Sequence, residues 1–273
     1  MRRIFYADDA EDEITNNGFV VLKNFVPIKV CDDLNDFFAA LVDTDPRAFS
    51  ISNWHNDRAY RTRAYDKIAK AIFPYGNKVL DNYKAVMGVY TAKKVGSHSD
   101  MLLHQDWSLV DETKFRSVSI WLALCDMNRR NGNLQIAPNS HIYAAAPRGV
   151  NVPVPFEAVR DQMLQNALTD VPIRKGDAII FEHRLIHASP ENHSEKLRLA
   201  AVLALIPEEA EMIHYYKSPE NDKELEVLKL DAEEFFLLDF FDMANKPKHL
   251  SALKKIPFSF HPLNIDDIVK ANK

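Results

Sequence analysis

The stretch GDAIIFEHRLIHASPENHSEKLRLA, residues 176–200, carries most of what this 273-residue chain discloses about itself. Gly176-Asp177 is turn chemistry, and it opens the apolar run Ala178 to Phe181, which predicts a strand leading through His183 to His187. The polar turn PENHSEK follows, then a second apolar strand over Leu197 to Ile206 with one charged residue, Arg198. Two antiparallel strands joined by such a turn would bring His187 and Arg198 into one neighbourhood. An arginine flanked by leucines in a core strand needs a partner, because a buried guanidinium is rarely left without an anion.

Segments of the same character lie on either side. Ala85 to Thr91, Ser117 to Leu124 and Leu134 to Ala137 are short and rich in β-branched or aromatic residues, with turns at Asn131-Gly132 and Pro138-Asn139. Several short strands without regular intervening helices predict an antiparallel sandwich or jelly roll rather than a parallel βαβ sheet. The first 80 residues read as mostly helical apart from a strand at Phe19 to Leu22. Val30, Leu34, Phe37, Phe38 and Leu41 recur at spacings of three and four, which marks an amphipathic helix over Pro27 to Leu41, and a second fits Ala64 to Ile72. A further helix is expected at Pro155 to Leu168. DAEEFFLLDFFDM, from Asp231 to Met243, returns to helical spacing, so residues 207–273 are expected to form a helical tail on a jelly-roll core spanning 85–206 in a single domain. Phe235-Phe236 and Phe240-Phe241 read as the buried stripe of that helix.

With 34 Lys+Arg against 39 Asp+Glu, the net charge of −5 lacks the basic field that non-specific nucleic-acid binding requires. No run approaches the roughly 18 apolar residues that span a bilayer, and the acidic opening MRRIFYADDAEDEI is no secretory signal. A cytoplasmic protein acting on a small molecule is the expectation, without nucleic-acid or membrane partners. The two cysteines, Cys31 and Cys125, form no thiolate metal motif, so any metal must be held by histidine and carboxylate.

His104-Gln105-Asp106-Trp107 supplies such donors. In a strand, residues i and i+2 project to one face about 6.7 Å apart, close enough for His104 and Asp106 to lean onto one ion at roughly 2.1 Å each. Joined by His187, two histidines and a carboxylate on one face of an octahedral ion leave three positions open, the arrangement of non-haem Fe(II) oxygenases. His183, an even offset before His187, is the rival ligand. The same donors suit a Zn2+ hydrolase, which leaves Arg198 unexplained. A binding protein that keeps the jelly roll without turnover is the third reading. Elsewhere, His141 reads as a turn-stabilising partner, His193 as solvated and His98 as a loop residue. Arg58, Arg61 and Arg63 around Tyr60 are either a contact for an anionic substrate group or a solvated helix start, and Tyr90 and Trp107 line a pocket or fill a core.

Three stretches resemble the phytanoyl-CoA dioxygenase family of Fe(II)/2-oxoglutarate-dependent oxygenases: HQDW at 104–107, SVSIWLALCDMNRRNGNLQIAPNSH at 117–141 and the stretch at 176–200. The resemblance implies a mainly β fold with flanking helices, a double-stranded β-helix or cupin-like jelly roll. It implies His104, Asp106 and His187 as iron ligands, Arg198 as anchor for the far carboxylate of 2-oxoglutarate, Ser189 as a hydroxyl donor to that carboxylate and Trp121 as a pocket wall. Fe(II), 2-oxoglutarate and O2 follow as cofactor and co-substrates, with hydroxylation of a small organic metabolite and release of succinate and CO2. One departure stands at Pro138-Asn139-Ser140-His141, where the family usually has glycine second. Asparagine tolerates the left-handed conformation that glycine would supply. Related halogenases replace the metal carboxylate with a small residue; Asp106 is present, which favours hydroxylation or desaturation.

Overall fold

The strand Val118–Ala123 sends Val118, Ile120 and Leu122 into one apolar cluster and Trp121 and Ala123 into another, so both of its faces are covered. Arg198–Pro207 behaves alike: Leu199, Ala201, Leu203 and Leu205 face the first cluster, while Ala200 and Val202 face the second. Double coverage explains why these segments read as continuous apolar runs. It also fixes Arg198, by the period of two, on the inner face beside Ala200 and Val202.

The computed structural model describes residues 1–41, 45, 47–149, 151–232, 246, 250, 252–264 and 268. In chain order the elements are α1 (Asp8–Asn17), β1 (Phe19–Leu22), α2 (Ile28–Ala40), β2 (Phe49–Ile51), α3 (Arg58–Gly76), β3 (Tyr83–Lys93), β4 (Met101–His104), β5 (Val118–Ala123), β6 (Leu134–Ile136), α4 (Ser140–Tyr143), α5 (Arg160–Asn166), β7 (Thr169–Val171), β8 (Ala178–Glu182), β9 (His187–Ser189), β10 (Arg198–Pro207), β11 (Ile213–Lys217), β12 (Glu224–Lys229) and β13 (Ala252–Pro257). A six-stranded sheet, β1-β8-β5-β10-β3-β2, faces a four-stranded one, β4-β9-β6-β7, and every pairing is antiparallel. This is the jelly roll expected from the strand pattern. Helices α1 to α3 supply Ile14, Leu34, Ile68 and Ile72 to the cluster on the outer face of the large sheet. Each such side chain contributes about 1.5–3 kcal/mol by leaving water. No helix among the described residues is long and apolar enough to cross a membrane.

Five expectations need correction, the last of them in the tail. The core is not confined to 85–206, because β1 and β2 pair with β8 and β3 and complete the large sheet. Residues 178–187 are not one strand: the chain turns at Glu182 to Leu185, and β8 and β9 belong to different sheets. For the same reason β9 and β10 are not a hairpin pair; the PENHSEK turn carries the chain across the sandwich. The helix expected at 155–168 is shorter, a 3-10 turn at Glu157–Val159 followed by α5.

The tail differs most. Within 207–273 the described residues form a separate antiparallel sheet, β11-β12-β13, rather than a helical cap. The helical reading of 231–243, including its phenylalanine pairs, lies almost wholly outside the described residues. Asn139 does adopt the left-handed backbone, with φ of 63°, so the turn survives without glycine.

Strand β11 presents His214, fully buried, with its ring edge-on to Trp107 at 5.2 Å and neither ring nitrogen hydrogen-bonded. Burial pushes this imidazole down to about 4, so the folded state keeps it neutral. A histidine depressed in the fold is protonated preferentially in the unfolded chain. Stability is therefore lost as pH falls through the ordinary histidine value toward 4, by about 2 kcal/mol at pH 5 relative to pH 8. Replacing His214 by Leu is expected to flatten that part of the profile, checked by urea denaturation at both pH values. Equal slopes for wild type and variant would refute it.

Candidate metal and co-substrate site

His104 ends β4 and is in register with His187, which opens β9, so the antiparallel ladder sets the two imidazoles side by side with ring centroids 4.1 Å apart. Asp106 follows two residues on, its Oδ1 3.9 Å from His104 Nε2. One donor atom from each of His104, Asp106 and His187 lies within 4.8 Å of the others. His183 is not a member of this group. Its Nε2 instead lies 3.1 Å from Ser119 Oγ, which is 3.2 Å from Asp106 Oδ2.

The orientation of both histidines suits ligation. His104 Nδ1 lies 2.8 Å from the Leu102 carbonyl and His187 Nδ1 2.9 Å from that of Leu185, so each Nδ1–H donates to backbone and each Nε2 keeps its lone pair. Desolvation, with His187 as the next cause, pushes His104 down to about 4, which keeps it neutral. For Asp106, burial alone would raise the carboxyl, but His187, His183, His104 and the Ser119 hydroxyl together bring it below the ordinary value. A carboxylate only accepts, so Ser119 donates to Asp106 and His183 Nε2–H donates to Ser119.

Loops hold this geometry from behind. Arg148, 4% exposed, donates through Nε to the Asp106 carbonyl at 2.7 Å and grips Glu112 through both terminal nitrogens at 2.8 and 2.6 Å. Next in the chain, Gly149 lies so close to β11 that a Cβ would sit 2.0 Å from the Tyr215 carbonyl, so no other residue fits there. Gln105 Nε2 donates to the carbonyls of Ala144 and Arg184. Removing the Ser119 hydroxyl frees one carboxylate oxygen to turn. Ser119→Ala is expected to weaken divalent-metal affinity about 10–100-fold, read by competition against a chelating indicator. Unchanged affinity would mean that the hydroxyl does not position the carboxylate.

Arg198 opens β10 and is 2% exposed. Its Nη1 donates to Thr91 Oγ1 at 3.2 Å, its Nη2 to Ser189 Oγ at 3.3 Å, and its guanidinium stands 5.6 Å from the centre of the Trp121 ring. Nε is buried without a partner, and no carboxylate among the described residues pairs with the group. Burial pushes it down to about 10. Ser189 spends its own proton on the Gly132 carbonyl at 2.9 Å, so it braces Arg198 in this structure rather than offering a proton to an incoming anion. Across the β3–β10 ladder from Arg198 lies Lys93, fully buried, whose Nζ donates to the carbonyls of Ser189 and Pro190 at 2.8 and 2.6 Å. Desolvation, then the Arg198 charge, pushes Lys93 down to about 6.

The His104, Asp106 and His187 group, Arg198, Ser189 and Trp121 line a single cavity of about 440 Å3 between the two sheets. Trp107 lines it too, whereas Tyr90 lies in the outer core with its hydroxyl donating to the Leu34 carbonyl. Arg58, Arg61 and Arg63 do not reach it. His193 sits in an exposed turn, as read from the sequence, whereas His141 Nε2 meets the carbonyl of Thr15 in α1 at 3.0 Å and not a group of its own turn. Thr91, Ser119, Lys93 and Arg148 escaped that reading. Ser119 lies inside the family-like stretch at 117–141 but carries no signal of its own there, the other three lie outside such stretches, and only the strand topology gathers them.

A family profile described as "Phytanoyl-CoA dioxygenase (PhyH)" matches residues 14–200, more than half of the chain. The chain belongs to the phytanoyl-CoA dioxygenase family. Within that family it is 26% identical over 128 residues to the mouse phytanoyl-CoA dioxygenase domain-containing protein 1, covering 44% of this chain and 44% of that protein. It is 27% identical over 199 residues to the Dictyostelium discoideum homolog, covering 70% and 63%. The aligned stretches thus span less than two thirds of either relative. The crystal structure of the epimerase SnoN in complex with Fe3+, alpha ketoglutarate and nogalamycin RO superposes with a TM-score of 0.55 at 13% identity, over 94% of this chain and 95% of that one. That likeness shows a shared fold, the cupin-like jelly roll of the family.

Proposed function

We propose that this protein is an Fe(II)- and 2-oxoglutarate-dependent dioxygenase that hydroxylates a small organic molecule. The observation that carries the reading is Arg198, a buried guanidinium without a carboxylate partner in the same cavity as a His-Asp-His donor set. Two imidazoles and one carboxylate are a donor set that suits Fe(II) and would leave coordination positions open for other ligands. His104, Asp106 and His187 hold the metal, and Arg198, braced by Thr91 and Ser189, takes the far carboxylate of 2-oxoglutarate through parallel N–H···O bonds. Trp121 packs on the guanidinium and restricts where that carboxylate sits.

When bound, the ion and its co-substrate supply the oxidising chemistry, in which O2, 2-oxoglutarate and a C–H bond become succinate, CO2 and C–OH. The chain's own task is to fix the ligands, exclude water and hold the substrate. The buried strands on both sides of the cavity exclude the water, and the hydrogen bonds to Leu102, Leu185 and Ser119 fix the ligands. A zinc hydrolase would have no use for Arg198.

The test is a thermal shift with Mn(II) in place of iron. Saturating 2-oxoglutarate is expected to raise Tm by about 5 °C, the yield of roughly 100-fold excess over Kd in a protein of this size. EDTA should remove the effect. With Fe(II), ascorbate and air, slow succinate release should follow. A metal-loaded protein indifferent to 2-oxoglutarate would end the proposal.

A further inference from the structure

We infer that the substrate is an uncharged, mostly hydrocarbon molecule bearing a hydrogen-bonding group, and not a carboxylate or a coenzyme A thioester. The inference deepens the oxygenase reading and rests on it for one step, the assignment of Arg198 to the co-substrate. Beyond the metal-binding group and His183, the charged side chains lining the cavity among the described residues are Arg198 and Arg160. Arg160 is already engaged, donating to the Leu103 carbonyl at 2.7 Å and to Glu157 at 2.6 Å. The arginines of α3, which the sequence offered for an anionic group, lie elsewhere.

What remains is apolar. Ile51, Met87, Val89, Leu109, Val152 and Val154, from β2, β3 and two loops, line the same cavity. Its volume of about 440 Å3 is in the range of sites that enclose a drug-sized ligand. A substrate carboxylate or diphosphate placed against these walls would lose its water with nothing in return.

Two carboxamides in the wall have a buried oxygen without a partner, Gln105 and Asn53, but Gln105 is fixed in place by Nε2 donating to the carbonyls of Ala144 and Arg184. Asn53 Nδ2 has only Met87 Sδ, a weak acceptor at 3.8 Å, and Asn53 Oδ1 is buried with no partner at all. Rotation of this carboxamide about its last bond presents either a donor or an acceptor, which matches a substrate hydroxyl or carbonyl. Asn53 is therefore the residue that selects the polar end of an otherwise apolar molecule.

The three tryptophans of the chain, Trp54, Trp107 and Trp121, all line this cavity, so intrinsic fluorescence reports its occupancy. Protein loaded with Zn(II) and 2-oxoglutarate is titrated below micellar concentration with 1-dodecanol, dodecanoate and dodecanoyl-CoA, which share an alkyl chain and differ in head group. Dodecanol is expected to change tryptophan emission with an apparent Kd at least about tenfold below those of the two anions. Met87→Glu and Val154→Glu, each checked for a cooperative melt, should weaken dodecanol about tenfold, and Asn53→Leu about fivefold. Anions that bind as well as the alcohol, or an alcohol that leaves emission unchanged, overturn the substrate class; full dodecanol affinity in Asn53→Leu overturns the role of Asn53. Failure of 2-oxoglutarate to stabilise the metal-loaded wild type is a separate outcome. It removes the oxygenase reading and leaves the preference of the cavity for neutral ligands standing.

Discussion

Arg198→Met is expected to abolish 2-oxoglutarate binding while leaving the ligand-free protein as stable as before, or more so. The two halves of this outcome have one cause. A guanidinium that is 2% exposed and is held by hydroxyls and a tryptophan ring is largely withdrawn from bulk water without pairing with a carboxylate among the described residues. Methionine has similar length, needs no partner and leaves behind two hydroxyls of which Ser189 keeps its bond to Gly132. Removing the charge therefore does not destabilise the ligand-free protein. With co-substrate present the balance reverses, because charge-assisted hydrogen bonds to a carboxylate contribute about 1.5–3 kcal/mol each and two of them are lost. The Kd for 2-oxoglutarate should rise by at least about 100-fold. Arg198→Lys should fall between, keeping the charge and losing the planar fork. Thermal melts of metal-loaded wild type and variants across a 2-oxoglutarate titration measure both halves. A variant that is severely destabilised without ligand, yet still responds to 2-oxoglutarate, would show that Arg198 is a structural residue.

The site was legible in the sequence where its residues sit inside strands with a strong pattern. Arg198 stood out because it interrupts an apolar strand, and period-two alternation was enough to aim it inward with Ala200 and Val202. His104 and Asp106 were legible as a close pair, since two residues in extended backbone share a face. The choice between His183 and His187 was not, because β9 is three residues long and the turn before it leaves no periodic signal. Both histidines reach the cavity, His183 from the turn after β8 and His187 from β9, and only the β4–β9 register brings His187 beside His104. Thr91 and Ser119 are ordinary strand hydroxyls in sequence. They gain meaning from neighbours 107 and 13 positions away. In the tail, 231–243 carries the more regular hydrophobic spacing, whereas IHYYK and ELEVLK, with β-branched and aromatic residues but no long periodic run, form β11 and β12.

Glu182→Ala is expected to be among the most destabilising single changes in the molecule, at about 3–5 kcal/mol, or on the order of 10 °C in Tm. Glu182 ends β8 and is 1% exposed, as befits a carboxylate shared by two guanidiniums. Arg184 donates to its Oε2 through Nε at 3.1 Å and Nη2 at 2.5 Å, and Arg116 Nη1 stands 3.6 Å from its Oε1. Arg116 has a second carboxylate in Glu11 of α1, whose other oxygen accepts from the backbone N–H groups of Ile4 and Phe5 at 2.7 and 2.9 Å. The cluster thus ties the N-terminal segment to the turn between the sheets. Losing Glu182 leaves Arg116 paired but strands Arg184, 7% exposed, as an uncompensated charge. Adding Arg184→Met should then restore most of the stability, because it is the unpaired charge, more than the lost bonds, that is costly. The Arg184 carbonyl, which receives Nε2 of Gln105, the residue between His104 and Asp106, is retained in that double variant, so its 2-oxoglutarate response should survive. Urea denaturation of the two single variants and the double variant gives the coupling directly. Additive losses would mean that the cluster stabilises through packing alone, and that the turn carrying His183 does not depend on charge pairing.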